Sequence, residues 1–193
     1  MIFYIHGFNS SVASSSGRLL ERQLGVRVHA LEYRSDAMYA DSFNSLSEQI
    51  NRHCDGFDVL VGTSMGGFYA LMLSAAMLTP CVAFNPVVEP RRQLRQFLGR
   101  NVNFQTHEAY DFTEAMLDSY PERVAGPGGN VPVQVYVSET DELLQGNAEL
   151  VRRVYPDCTL TRTAHRIGDF TPYLATIRQF ENLMGCHPDS GGD

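Results

Sequence analysis

Residues 62–67 read Gly-Thr-Ser-Met-Gly-Gly, which sets Ser64 between glycines two positions away on either side. A short apolar run ends just before this segment and an apolar stretch of helical length follows it, so the serine falls on a strand-to-helix turn. A serine there has strained backbone angles, and Gly62 and Gly66 must be small for strand and helix to approach each other. The turn projects the hydroxyl above the sheet. The start of the helix, with the Met65 N–H, then offers positive charge to a developing oxyanion. Such a serine attacks carbonyl carbon, provided that a base takes its proton.

Six histidines compete for the role of base. His165 lies in the loop after the last expected strand and before a closing helix, where a base can reach a serine held above the sheet. His29 falls in a strand, His53 at a helix end, His107 in an insertion and His187 in the tail. His6 precedes the serine at a strand end and reads as a buried, hydrogen-bonded loop anchor. The acid that orients the imidazole is expected at Asp141, within Ser138-Glu139-Thr140-Asp141-Glu142. Glu139 and Glu142 are close enough to compete, since acids at a strand end are often only solvated surface. The second oxyanion donor is assigned to the backbone N–H of Phe8, where the loop after the first strand begins.

Short apolar runs alternate with segments of helical period, the pattern of an α/β chain with about six mostly parallel strands covered by helices. The strands are expected at residues 2–5, 26–31, 57–61, 81–84, 131–137 and 159–161. Between them lie a helix carrying Leu19, Leu20 and Leu24 that stops at Gly25, a second around residues 42–53, and a buried one over 66–77. Residues 171–184 form the closing helix, with Pro172 acceptable in its first turn. The stretch 86–130 is longer than a crossover needs and is read as a helical cap rich in Leu and Phe, with a flexible Gly-Pro-Gly-Gly exit at 126–129. Residues 1–185 are expected to form a single domain, and 186–193 a disordered tail.

Composition narrows the chemistry. The chain has 193 residues, a net charge of −7 and 15 basic residues, all arginine and mostly scattered, which disfavours nucleic acid as a partner. Cys54, Cys81, Cys158 and Cys186 make no C-x-x-C pair and read as free thiols. Met1–Ile5 runs straight into His6-Gly7, unlike a secretory signal, so a cytoplasmic location is expected. No stretch approaches the ~20 apolar residues of a membrane span. Neither metal-ligand spacing nor a dinucleotide fingerprint is present, and no cofactor is expected. The oligomeric state is left open.

Taken together, five segments are similar to the YqiA/YcfP-like group of small bacterial α/β-hydrolases. They are Tyr4-Ile5-His6-Gly7-Phe8-Asn9-Ser10-Ser11, Gly62 through Ala70, Phe84-Asn85-Pro86, Thr140-Asp141-Glu142-Leu143-Leu144, and Ala164-His165. The resemblance spans about residues 1–184 and is loose in the insertion. It implies a compact α/β-hydrolase fold and activity on short acyl esters or acyl thioesters. It carries the nucleophile to Ser64, the acid to Asp141 and the base to His165. The YcfP type lacks the nucleophilic serine, whereas this chain has it and so sides with the YqiA type. The expected substrate is a small acyl ester or thioester. The rivals are an acyltransferase using the same triad and a non-catalytic ligand- or protein-binding module on the same fold.

Overall fold

The computed structural model describes residues 1–54, 58–127 and 129–183. From the N-terminus, β1 (Ile2–Ile5) is followed by α1 (Ser15–Leu24), β2 (Val28–Leu31), α2 (Tyr39–His53), β3 (Val59–Thr63), α3 (Met65–Met77) and β4 (Cys81–Phe84). The insertion holds the short helix α4 (Pro90–Gln93), the antiparallel hairpin of β5 (Gly99–Val102) and β6 (Ala109–Phe112), and α5 (Glu114–Ser119). The chain then returns to the sheet with β7 (Val133–Ser138), α6 (Asn147–Val154), β8 (Thr159–Thr161) and α7 (Leu174–Leu183). Six strands make one parallel sheet in the order β2-β1-β3-β4-β7-β8.

Strand side chains alternate between two cores. Ile2, Tyr4, Val59, Val61, Val82 and Phe84 pack with Leu20 and Leu24 of α1 and Ile177 of α7. Their neighbours Phe3, Ile5, Leu60, Cys81 and Ala83 point the other way, onto Leu46 and Ile50 of α2, Phe68 and Leu71 of α3 and Val151 of α6. Because helices cover both faces, β1, β3 and β4 are buried at every position; β1 and β4 read as unbroken apolar runs, and β3 as an apolar run that ends in Gly62 and Thr63. Each of the larger side chains contributes roughly 1.5–3 kcal/mol by leaving water, so Phe84→Ala alone would cost about 3–5 kcal/mol.

The expected α/β architecture is present, and β1, β4 and β8 have the expected bounds. The insertion departs from the helical cap read from the sequence. Its helices are one or two turns long, and its centre is the hairpin. The reason is local: Tyr110 and Phe112 turn inward while Ala109 and Asp111 stay exposed, a period of two that a helix cannot satisfy. At the hairpin turn, Asn103 Oδ1 accepts the N–H groups of Gln105 and Thr106. Helix α6 was not anticipated, α2 starts three residues earlier than read, and the closing helix opens as a 3₁₀ turn over Thr171–Tyr173. The readings for Phe57, Gly128, Met184 and the tail fall outside the described residues.

Candidate active site

Ser64 stands between β3 and α3 with φ 56° and ψ −121°. For a residue with a side chain this region costs on the order of 1–3 kcal/mol, so the surroundings must impose it. They do so through the backbone. The Ser64 N–H donates to Phe84 O of β4 at 2.9 Å, and its carbonyl accepts from Phe68 and Val87, each at 3.2 Å. The two flanking glycines are required by the same packing. A Cβ on Gly62 would lie 2.2 Å from Gly66 O, and one on Gly66 would lie 2.0 Å from Ile5 O. Neither backbone atom can move aside without separating the strands from α3. Met65 opens α3, so its N–H has no intrahelical acceptor.

The loop after β1 runs beside this turn, because β1 pairs with β3 and the strand order reverses there. A Cβ on Gly7 would sit 3.6 Å from Ser64 Cβ. The Phe8 ring packs against Phe97 and Phe112, with centroids 5.1 and 5.3 Å away. The unexpected hairpin ties down the residues that follow: the Tyr110 hydroxyl donates to Asn9 Oδ1, Phe104 N–H to Asn9 O at 2.9 Å, and Asn103 Nδ2 to Ser10 O at 3.0 Å. The loop that carries Phe8 is therefore fixed by the insertion. His6 is engaged elsewhere, with Nδ1 at 2.9 Å from Gly7 O, Nε2 at 3.0 Å from Glu32 Oε1, and its ring stacked on Tyr33.

His165 and Asp141 come together from the loops after β8 and β7. Nδ1 of His165 lies 2.7 Å from Asp141 Oδ2, and both residues are buried. The other carboxylate oxygen of Asp141 accepts the N–H groups of Leu143 and Leu144 at 2.9 and 2.8 Å, which leaves Oδ2 aimed at the imidazole. Burial pushes the Asp141 carboxyl up, but the bond with His165 and those N–H donors outweigh it and hold the group below the usual carboxylate range. Glu142 is occupied differently: its Oε2 accepts the backbone N–H of His165 at 2.8 Å. Glu139 faces Arg162 at 3.8 Å.

Sequence reasoning did not single out a role for Asn85 here. Its φ is 45° and its side chain is buried. Oδ1 accepts Ser138 N–H at 2.7 Å, at the end of the strand that leads to Asp141. Nδ2 donates to His165 O at 2.9 Å. One side chain thus links both loops to β4. The available signal was an Asn-Pro step at a strand end, which marks a turn that Asn tolerates at positive φ.

A cavity of about 290 Å³ opens over this arrangement, lined by Ser64, Met65, Phe8 and His165 together. Its lining includes apolar side chains, among them Val87, Leu94 and Phe97, and polar ones, among them Ser14, Ser15, Ser16 and Arg166. The remaining histidines lie elsewhere: the rings of His29 and His53 approach each other at 5.6 Å, His107 is in the hairpin turn, and His187 is outside the described residues. Among the described residues there is no cluster of three or more metal-ligating side chains, and no helix long and apolar enough to cross a membrane.

The architecture matches solved structures of α/β-hydrolase fold. Est1E from Butyrivibrio proteoclasticus superposes with a TM-score of 0.68 at 11% identity, over 96% of this chain and 88% of that one. Mouse alpha/beta hydrolase domain-containing protein 10 gives 0.65 at 14% identity, over 95% and 89%. The esterase domain of a Rhodothermus marinus protein gives 0.61 at 15%, over 95% and 84%. At these identities the likeness is one of fold. In sequence, a UPF0227 protein of Serratia proteamaculans is 23% identical over 189 residues, covering 95% of this chain and 99% of its own length. A Yersinia pseudotuberculosis relative of the same description is 24% identical over 191 residues, covering 95% and 99%. The model of UPF0227, described as an uncharacterised protein family, matches residues 1–182, and the chain belongs to that family.

Proposed function

We propose that this chain is a serine-dependent esterase or thioesterase that acts through an acyl-enzyme on Ser64. The observation that carries the reading is that Ser64, on its strained turn, shares one cavity with His165, whose Nδ1 is held by a buried carboxylate. A carboxylate on Nδ1 fixes the tautomer that leaves Nε2 free to accept a proton. Ser64 Oγ attacks the carbonyl carbon as its proton passes to His165 Nε2. The Phe8 and Met65 N–H groups hold the oxyanion. His165 then returns the proton to the departing alcohol or thiol as the carbon–oxygen or carbon–sulfur bond breaks. Water, deprotonated by the same imidazole, cleaves the acyl-enzyme and regenerates Ser64.

Esterase names among the structural neighbours support this reading, as does the resemblance to the YqiA type. A pure binding module would need neither the strained serine nor a histidine oriented by a buried acid. The test is hydrolysis of p-nitrophenyl esters and acyl thioesters of increasing chain length by wild type and Ser64→Ala, with fluorophosphonate labelling of both. Loss of the serine is expected to lower kcat by up to about six orders of magnitude. Equal turnover by both proteins, or no labelling of Ser64 in the folded chain, would sink the proposal.

A further inference from the structure

We infer that the leaving group of the substrate carries an anion, a carboxylate or a phosphate, and that Arg166 reads it; this rests on the esterase reading above. The leaving group must lie beside His165, because it takes its proton from that imidazole. Arg166 is the next residue along the chain and lines the same cavity. Among the described residues that line the cavity, it alone carries a permanent charge. No acidic side chain joins it there, although the chain holds 22 Asp and Glu and a net charge of −7.

Arg34, Arg52, Arg92, Arg123 and Arg153 each pair with a carboxylate. Arg166 is exposed and has no such partner among the described residues. Its planar fork therefore stays free for the paired oxygens of a carboxylate or phosphate. Ser14, Ser15 and Ser16, at the start of α1, line the same cavity. The Tyr4 hydroxyl, 2.8 Å from Thr63 Oγ1, is pushed up by burial, and Arg166 is near enough to oppose that rise, as are Ser14 and Ser16. Val87, Leu94 and Phe97 add apolar surface to the same cavity. The lining thus offers both apolar surface for an acyl chain and a cation for an anionic leaving group.

The test uses substrate pairs that differ at the charged group. 4-Butyryloxybenzoate is compared with its methyl ester, and S-butyryl-4′-phosphopantetheine with S-butyrylpantetheine, on wild type, Arg166→Ala and Arg166→Glu. Wild type is expected to favour the anionic member of at least one pair, and the pair with the larger preference identifies the anion. Arg166→Ala is expected to lower that anionic-over-neutral ratio of kcat/KM by about tenfold or more, and Arg166→Glu further. High salt should narrow the preference in wild type. A ratio unmoved by both substitutions, with neutral esters still turned over in a Ser64-dependent way, overturns the anion subsite alone. If no ester turns over and fluorophosphonate leaves Ser64 unlabelled, the esterase reading falls and the subsite falls with it.

Discussion

The side-chain amide of Asn85 donates to the carbonyl oxygen of His165 at 2.9 Å, and this bond joins the end of β4 to the loop after β8 across 80 residues of chain. Asn85 Oδ1 meanwhile holds Ser138 N–H at 2.7 Å, at the start of the loop that carries Asp141. The imidazole and its carboxylate therefore share one anchor. In Asn85→Ala a buried N–H loses its acceptor, and a side chain that disfavours φ 45° replaces one that tolerates it. Together these should cost about 2–4 kcal/mol of stability. Small displacements of reacting groups are costly, so kcat should fall on the order of 10²-fold with KM little changed. Asn85→Asp keeps the acceptor for Ser138 but turns an oxygen toward His165 O. Because Asn85 is buried, that carboxylate sits out of water against a carbonyl oxygen, and Asn85→Asp should recover neither the stability nor the activity. Melting temperatures and steady-state kinetics on the three proteins check this; recovery of both together in Asn85→Asp would mean that the bond to His165 does not matter.

The two neighbouring acids make different contacts with the same histidine, one with its ring and the other with its backbone. Removing the ring contact changes the tautomer, so Asp141→Asn should lower kcat on the order of 10⁴-fold. Glu142→Gln retains an oxygen that accepts the His165 N–H and should keep nearly full activity. Glu142→Ala leaves that N–H to water and should stay within about tenfold of wild type. If Glu142→Ala were as damaging as Asp141→Asn, the assignment of the acid would have to be exchanged.

Close backbone approach at the elbow predicts opposite outcomes for two glycine substitutions. In Gly66→Ala the new methyl would meet Ile5 O at 2.0 Å and His6 O at 2.4 Å, both in the backbone at the end of β1. Relief would require α3 to lift away from the sheet, at a cost of roughly 3 kcal/mol or more. Gly126 has open space around the same position and an ordinary φ. Gly126→Ala should therefore shift stability by no more than about 0.5–1 kcal/mol, in the stabilising direction if at all. Thermal melts of the two variants beside wild type decide the matter.

Legibility of the chain followed the physics of burial. Strands covered on both faces leave continuous apolar runs, so β1 and β4 could be bounded from the residues alone. By contrast β3, expected to end at residue 61 because Gly62 and Thr63 interrupt the apolar pattern, runs on to Thr63. The hairpin could not be bounded, because β5 is mostly exposed and β6 turns only Tyr110 and Phe112 inward. Helix α6 hid behind Gly146 and Asn147, residues that usually break helices, and its apolar face is short: Leu150 and Val151 are buried, with Ala148 and Val154 partly so. The closeness of Asp141 and His165 was readable because parallel topology delivers the loops after β7 and β8 to one edge of the sheet. Asn85 was not readable as an anchor. Its partners are backbone groups of Ser138 and His165, and backbone groups leave no trace in residue type.

Asp141 should also make the fold sensitive to acid. The bond with His165 and the Leu144 and Leu143 N–H groups keep its carboxyl below the usual range despite burial. A carboxyl that is more acidic in the folded chain than in the unfolded one stabilises the fold at every pH above its unfolded value, about 3.9. That contribution disappears as pH falls through the lower, folded value. Below about pH 4, the unfolding free energy of wild type should therefore decline more steeply than that of Asp141→Asn, which has no proton to take up at this position. Urea unfolding of both proteins between about pH 6 and 3 gives the two curves. Parallel acid limbs would show that the carboxyl gains nothing from its partners on folding, and the electrostatic account of the His165 pairing would have to be given up.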